Sequence, residues 1–147
     1  MGNKKNKHKI DIAYENYTKG YNIIDSHPMF APLLNHVHVV RTEGNLCPEK
    51  GWAVITRNGY LHVNATRRGD PLEWAYVIAH CLLHLGLGHF KEKSDNIKWN
   101  TACDCFIAKF LSDMKLGRPH SEMQYKIDFT APSEEQLYNI FVEKGIP

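Results

Sequence analysis

The order of elements predicts an α+β fold, a small antiparallel sheet packed on helices. Three observations carry this expectation. The stretch "WAVITRNGYLHVN" at 52–64 reads as two strands around an Asn58-Gly59 pair, which suits a hairpin with a type I′ turn. Residues 72–85 are apolar almost all round, which predicts a helix buried on most of its faces. The stretch "SEEQLYNIFVEKG" at 133–145 opens on a cap residue and stops on a glycine, the punctuation of a last helix.

The remaining elements follow in order. The first nine residues, MGNKKNKHK, read as a basic, solvated tail, and residues 10–147 as a single domain. Ile10 to Ile24 reads as a helix in which Ile12, Ala13, Tyr17 and Ile24 share a side, although Gly20 lowers its helix propensity. Pro28 and Pro32 then break the chain, and Phe30, Leu33 and Leu34 form a short packed turn. Val37, Val39 and Val40 begin the strand-rich region. The buried helix has a strong start signal: Asp70 as N-cap, Pro71 at the first helical position and Glu73 positioned to close a capping box. Gly86 and Gly88 end it. A further helix runs from about Ser94 to Met114, and 121–130 is irregular or briefly extended. Trp52, Tyr60, Trp74, Tyr76 and Trp99 are assigned to the core, and Arg67 and Arg68 to a solvated loop.

Bulk properties narrow the function classes. A chain of 147 residues suits one domain with one sizeable core. A formal charge of +2 argues against a nucleic-acid or membrane partner. No apolar segment follows the basic start, so it is not a secretory signal, and the greasiest run, Ala75 to Leu87, is too short to span a membrane. The cysteines at 47, 81, 103 and 105 form no CxxC pair, so a zinc ribbon is not expected. Nothing marks the chain for export, and reduced thiols in a cytoplasm are the expectation.

The chemistry concentrates in "HCLLHLGLGH" at 80–89. Residues four apart on a helix lie one above the other, so His80 and His84 can aim two imidazoles at one point. Zinc takes such nitrogens at about 2.0–2.1 Å, with three or four protein ligands in all. The competing reading is two core histidines, each bonded to a backbone carbonyl. Two polar rings in so apolar a helix need a reason, because an unpaired buried polar group costs about 1–3 kcal/mol. Two candidates exist for a third ligand. His89 follows the terminating glycines, five positions after His84, where the chain can fold back. Asp104 stands twenty positions after His84 on the next helix, on a face with Asn100, Ile107, Ala108 and Leu111, where a carboxylate is costly unless paired or bound to a cation. Asp104 can equally serve as a hydrogen-bond partner of a ligating histidine.

Together the stretches "SHPMFAPLL" (26–34), "WAVITRNGYLHVN" (52–64), "HCLLHLGLGH" (80–89), "WNTACDCFI" (99–107) and "PSEEQLY" (132–138) resemble a family of metallopeptidase-type domains. Such domains are often found in front of a von Willebrand factor A-like domain in bacterial proteins. The resemblance covers most of the chain after the basic tail, and it rests on the order and spacing of the pieces. It implies a zincin-like fold, Zn²⁺ as the metal, and His80, His84 and either His89 or Asp104 as ligands. It makes Asn100 a structural residue or a partner of a ligand. The chain stops soon after the last helix, so either the von Willebrand-type portion is missing or this is a stand-alone or trimmed domain.

A second departure bears on mechanism. The family's general-base glutamate follows the first histidine, and here that position is Cys81. General acid–base help of this kind is worth typically about 10²–10⁴-fold. A cysteine is too short to reach the same point, offers one sulfur for two oxygens, and reads as a small apolar residue filling space. The expectation is a zinc-dependent metallopeptidase-like domain that is weak or inactive as a hydrolase. The alternative is a metal-binding pseudoenzyme that grips a peptide or protein, with the sheet edge taking an added strand from the ligand. A third reading is an interaction domain of phage or mobile-element type with no metal. Oligomeric state is left open.

Overall fold

The buried helix of 16 residues, Pro71–Gly86, is the axis on which the other elements are hung. The structure, a computed structural model, describes residues 11–125 and 131–146. The expected basic tail, Ile10 and the second half of the expected irregular segment therefore lie outside the described residues. In chain order the elements are α1 (Ile12–Asp25), α2 (Ala31–Leu34), β1 (His38–Val40), β2 (Ala53–Ile55), β3 (Tyr60–Val63), α3 (Pro71–Gly86), α4 (Asn96–Met114), a 3₁₀ turn (Ser121–Met123) and α5 (Glu134–Lys144). The class is mixed α+β, with five α-helices and one three-stranded sheet among the described residues.

The start of α3 is formed as its sequence demands. Pro71 occupies the first turn, and the Asp70 N–H donates to Glu73 Oε1 at 3.0 Å. Every residue from Trp74 to Leu83 is buried. Such all-round burial needs cover on several sides, and α1, β2 and α4 provide it. Where α1 crosses, Gly20 is buried, and a Cβ there would lie 2.5 Å from Trp74 Cβ, 2.8 Å from the Pro71 carbonyl and 2.9 Å from the Ala75 nitrogen. The glycine that weakens α1 as an isolated helix is thus what lets α1 lie against α3. Ala13, Tyr17 and Ile24 are buried on that face as expected, whereas Ile12 is exposed.

The sheet departs from expectation in two ways. It is mixed, with strand order β1-β3-β2: β2 pairs antiparallel to β3, but β1 pairs parallel to it, His38 opposite Tyr60. The direction of β1 depends on the path of the 41–52 connection, which has no strand periodicity of its own. That connection is tied back to β3 by Asn45 Nδ2 donating to the Val63 carbonyl (2.8 Å) and the Leu46 N–H donating to His62 Nδ1 (3.1 Å). The hairpin forms, but its turn is not type I′. Thr56 N–H donates to the Tyr60 carbonyl and Gly59 N–H to the Thr56 carbonyl, each at 3.0 Å, leaving a three-residue loop. Gly59 has φ +86°, while Asn58 is not among the residues with positive φ, as type I′ requires. This is the pattern of a turn closed by a left-handed glycine bulge.

Two clusters of buried side chains result. One surrounds α3 and includes Tyr17, Phe30, Leu61, Trp74, Ile78, Leu82, Ile107 and Leu111. The other lies between α4 and α5 and includes Trp99, Cys103, Leu137, Tyr138 and Phe141. Of the aromatic residues assigned to the core, Tyr60 is instead 40% exposed at the sheet surface. Arg67 is half-buried rather than solvated: it lies 4.7 Å over the Trp52 ring and pairs with Glu122 at 2.7 Å. No helix among the described residues is long and apolar enough to cross a membrane.

Candidate metal centre

His80 and His84 leave α3 on one face, as their spacing requires, and their rings turn inward towards α4 rather than outward to carbonyls. Asp104, on α4, meets them. Three atoms converge: His84 Nε2 lies 3.0 Å from His80 Nε2 and 2.9 Å from Asp104 Oδ1, and His80 Nε2 lies 3.2 Å from the same oxygen. Among the described residues this is the group of three whose ligand atoms could hold a metal ion. Three donors about 2.0–2.1 Å from a common zinc, at tetrahedral angles, stand about 3.3 Å apart. The observed edges are a few tenths of an ångström shorter, so the donor set fits a small divalent cation.

Hydrogen bonding alone does not account for this triangle. Each ring nitrogen carries at most one proton, and an ionised carboxylate only accepts. At most two of the three contacts can then be hydrogen bonds, and the third sets two donors, or two acceptors, face to face. His80 Nδ1 is also buried without a partner, so the carbonyl-bonded core histidine is not what is found.

Burial alone would push the Asp104 carboxyl up, but the two imidazoles beside it outweigh that and hold it well below the usual carboxylate range. Burial pulls the His84 ring below its ordinary value, against the pull of Asp104. Two imidazoles and one carboxylate, the donor set of several metal centres, share one small space.

His89 is near, but not at the convergence. The end of α3 explains its position. Gly88 adopts φ +68°, its N–H donates to the Leu85 carbonyl (3.2 Å), and the His89 N–H donates to the His84 carbonyl (3.0 Å). This is a Schellman motif, and it folds the chain back so that His89 sits beside His84. His89 Nδ1 is 3.1 Å from His84 Nδ1, on the ring edge opposite the Asp104 contact. His89 Nε2 is 2.5 Å from Glu134 Oε2 at the start of α5. The loop is held by Trp99 Nε1 donating to the His89 carbonyl (2.8 Å) and by Lys93 pairing with Glu135 (2.6 Å).

Cys81 points elsewhere. It is 5% exposed within the core around α3, and burial, with the Asp104 charge adding, pushes its thiol up to about 12. A thiol in that setting is protonated at neutral pH and offers neither a base nor a thiolate. Asn100 is exposed on α4.

Two residues at the site escaped the sequence reading. Tyr125 places its hydroxyl 3.4 Å from Asp104 Oδ2 and also lines a cleft of about 320 Å³ with Tyr76, Leu111, Leu116 and Met123. Glu134 reaches His89 from 45 positions away. Nothing local separates Glu134 from Glu135 or Glu143; only the docking of α5 selects it.

No protein-family model, curated protein or solved structure matches the chain. What fold and site together define is an α+β protein in which a buried helix and its successor bring two histidines and an aspartate to one point.

Proposed function

We propose that this chain is a zinc-binding, zincin-like domain of metallopeptidase type that hydrolyses peptides slowly or not at all. The observation that carries the reading is the convergence of His80 Nε2, His84 Nε2 and Asp104 Oδ1 within 3.2 Å of one another. A zinc ion held there would act as a Lewis acid towards a carbonyl oxygen. His80, His84 and Asp104 are the ligands in this reading, and His89 supports a ligand. Tyr125 donates to the outer oxygen of Asp104 and so restrains the carboxylate. The cleft beyond Tyr125 takes an apolar side chain of a peptide or protein ligand. Strand β2 is an edge of the sheet and packs against α3, so an extended ligand can add to it beside the site.

The burial of Cys81 supports low activity, because the position from which a base would act holds a protonated thiol in the core. The same observation favours a second reading, a metal-binding pseudoenzyme that grips its ligand uncut. The four free thiols, three of them buried, fit a reducing, cytoplasmic setting.

Metal analysis tests the site. Wild type is expected to carry about one zinc per chain, and the His80→Ala and His84→Ala variants almost none. Equal, near-zero zinc in all three sinks the reading, and iron in place of zinc redirects it, since two histidines and a carboxylate also suit Fe(II). Activity is tested on a peptide library against Cys81→Glu. Wild type cleaving as fast as that variant argues against the role given to Cys81.

A further inference from the structure

The Glu134–His89–His84 chain constrains which nitrogens carry protons when the rings are neutral. The Glu134 carboxylate only accepts, so at 2.5 Å His89 Nε2 carries the hydrogen. A neutral His89 ring then has a bare Nδ1, and the 3.1 Å contact is a hydrogen bond only if His84 Nδ1 donates. A neutral His84 protonated on Nδ1 has a bare Nε2, and that is the nitrogen 2.9 Å from Asp104 Oδ1. With neutral rings, the opposite tautomer of His84 would set two lone pairs face to face across the His89 contact.

We infer that Glu134, acting through His89, is a positioning residue that holds His84 with its proton on Nδ1 and its Nε2 lone pair towards the point shared with His80 and Asp104. This rests on the metal reading above and deepens it. Two acceptors, Nε2 and Oδ1, face each other at 2.9 Å, an arrangement that a cation between them relieves. The carboxylate at the far end makes His84 a better electron donor and fixes its ring. It also ties α5 to the site: Ser133 Oγ accepts from the Gln136 N–H at the helix start, which places Glu134 in the first turn. Removing such an outer partner typically costs about 10–100-fold in metal affinity.

The test uses the full chain and Zn²⁺ alone. Zinc affinity of Glu134→Gln is expected to fall about 10–100-fold below wild type, with the melting of the zinc-free protein little changed. A purely structural role would not set the ring protons, so these are read directly by long-range ¹H–¹⁵N spectra of zinc-loaded wild type, which needs no variant to fold. The expected pattern is His84 protonated on Nδ1, His89 protonated on Nε2, and His89 Nδ1 without a metal-bound shift. Zinc-binding wild type with the same affinity in Glu134→Gln, or a metal-bound shift at His89, overturns the role of Glu134. Wild type that takes up no zinc removes the metal reading itself and this role with it.

Discussion

Asp104 Oδ1 lies 2.9 Å from His84 Nε2, although the two residues are twenty positions apart and stand on different helices. The contact joins the cluster around α3 to α4 and makes Asp104, with His80 and His84, the member of a single site. In the zinc reading proposed above, metal binding and folding are linked.

Zinc should stabilise the fold by mass action. At free zinc about 100-fold above its dissociation constant the gain is about 2.7 kcal/mol. For a chain of this size that raises the melting temperature by roughly 5–10 °C. The increment should vanish in Asp104→Asn and be reversed by a chelator in wild type. A melting curve of Asp104→Asn that still responds to zinc as wild type does would remove Asp104 from the site.

Gly20→Ala should destabilise the protein, although alanine is the better helix former. Its Cβ would meet Trp74 Cβ at 2.5 Å and α3 backbone atoms at 2.8 and 2.9 Å, so α1 must move away. The cost of such overpacking is about 1–3 kcal/mol, against about 1 kcal/mol gained in propensity. Urea unfolding should show a lower midpoint with an unchanged slope, and a raised midpoint would show that α1 does not approach α3 this closely.

Gly88→Ala should strain the left-handed position that ends α3, at φ +68°, by about 1–2 kcal/mol. A Cβ there meets nothing within 4 Å, so the cost is conformational. Asparagine at the same position should be milder. Because Gly88 turns His89 back onto His84, zinc affinity should fall with stability, and unaltered affinity would separate the two.

Cys81 should be inert. With its thiol pushed up to about 12 by burial, it should resist alkylation at pH 8 in folded protein and react on unfolding. The sign of its pH effect follows. The folded chain keeps a proton that the unfolded chain loses near 9, so this stability is full below about pH 9 and is lost as pH rises towards 12. Unfolding midpoints at pH 8 and pH 10 measure it, and Cys81→Ala should show the smaller decline. That variant should also keep its zinc, and loss of zinc would make Cys81 a ligand.

Much of this was legible in one dimension. The caps at Asp70 and Ser133, the glycine stops and the apolar run of α3 are local signals, because backbone geometry and burial act over one or two turns. The His80–His84 pair was legible for the same reason, since the pitch of a helix alone brings them to one face. What only the tertiary structure decided involves partners far apart in the chain. It chose Asp104 over His89 as the third atom at the convergence. It laid β1 parallel to β3, made Gly20 a contact rather than a flaw, and selected Glu134 from several equivalent glutamates. Residue type and spacing state what a side chain can do, but the partner it meets is set by how helices and strands pack, and packing is a property of the whole core.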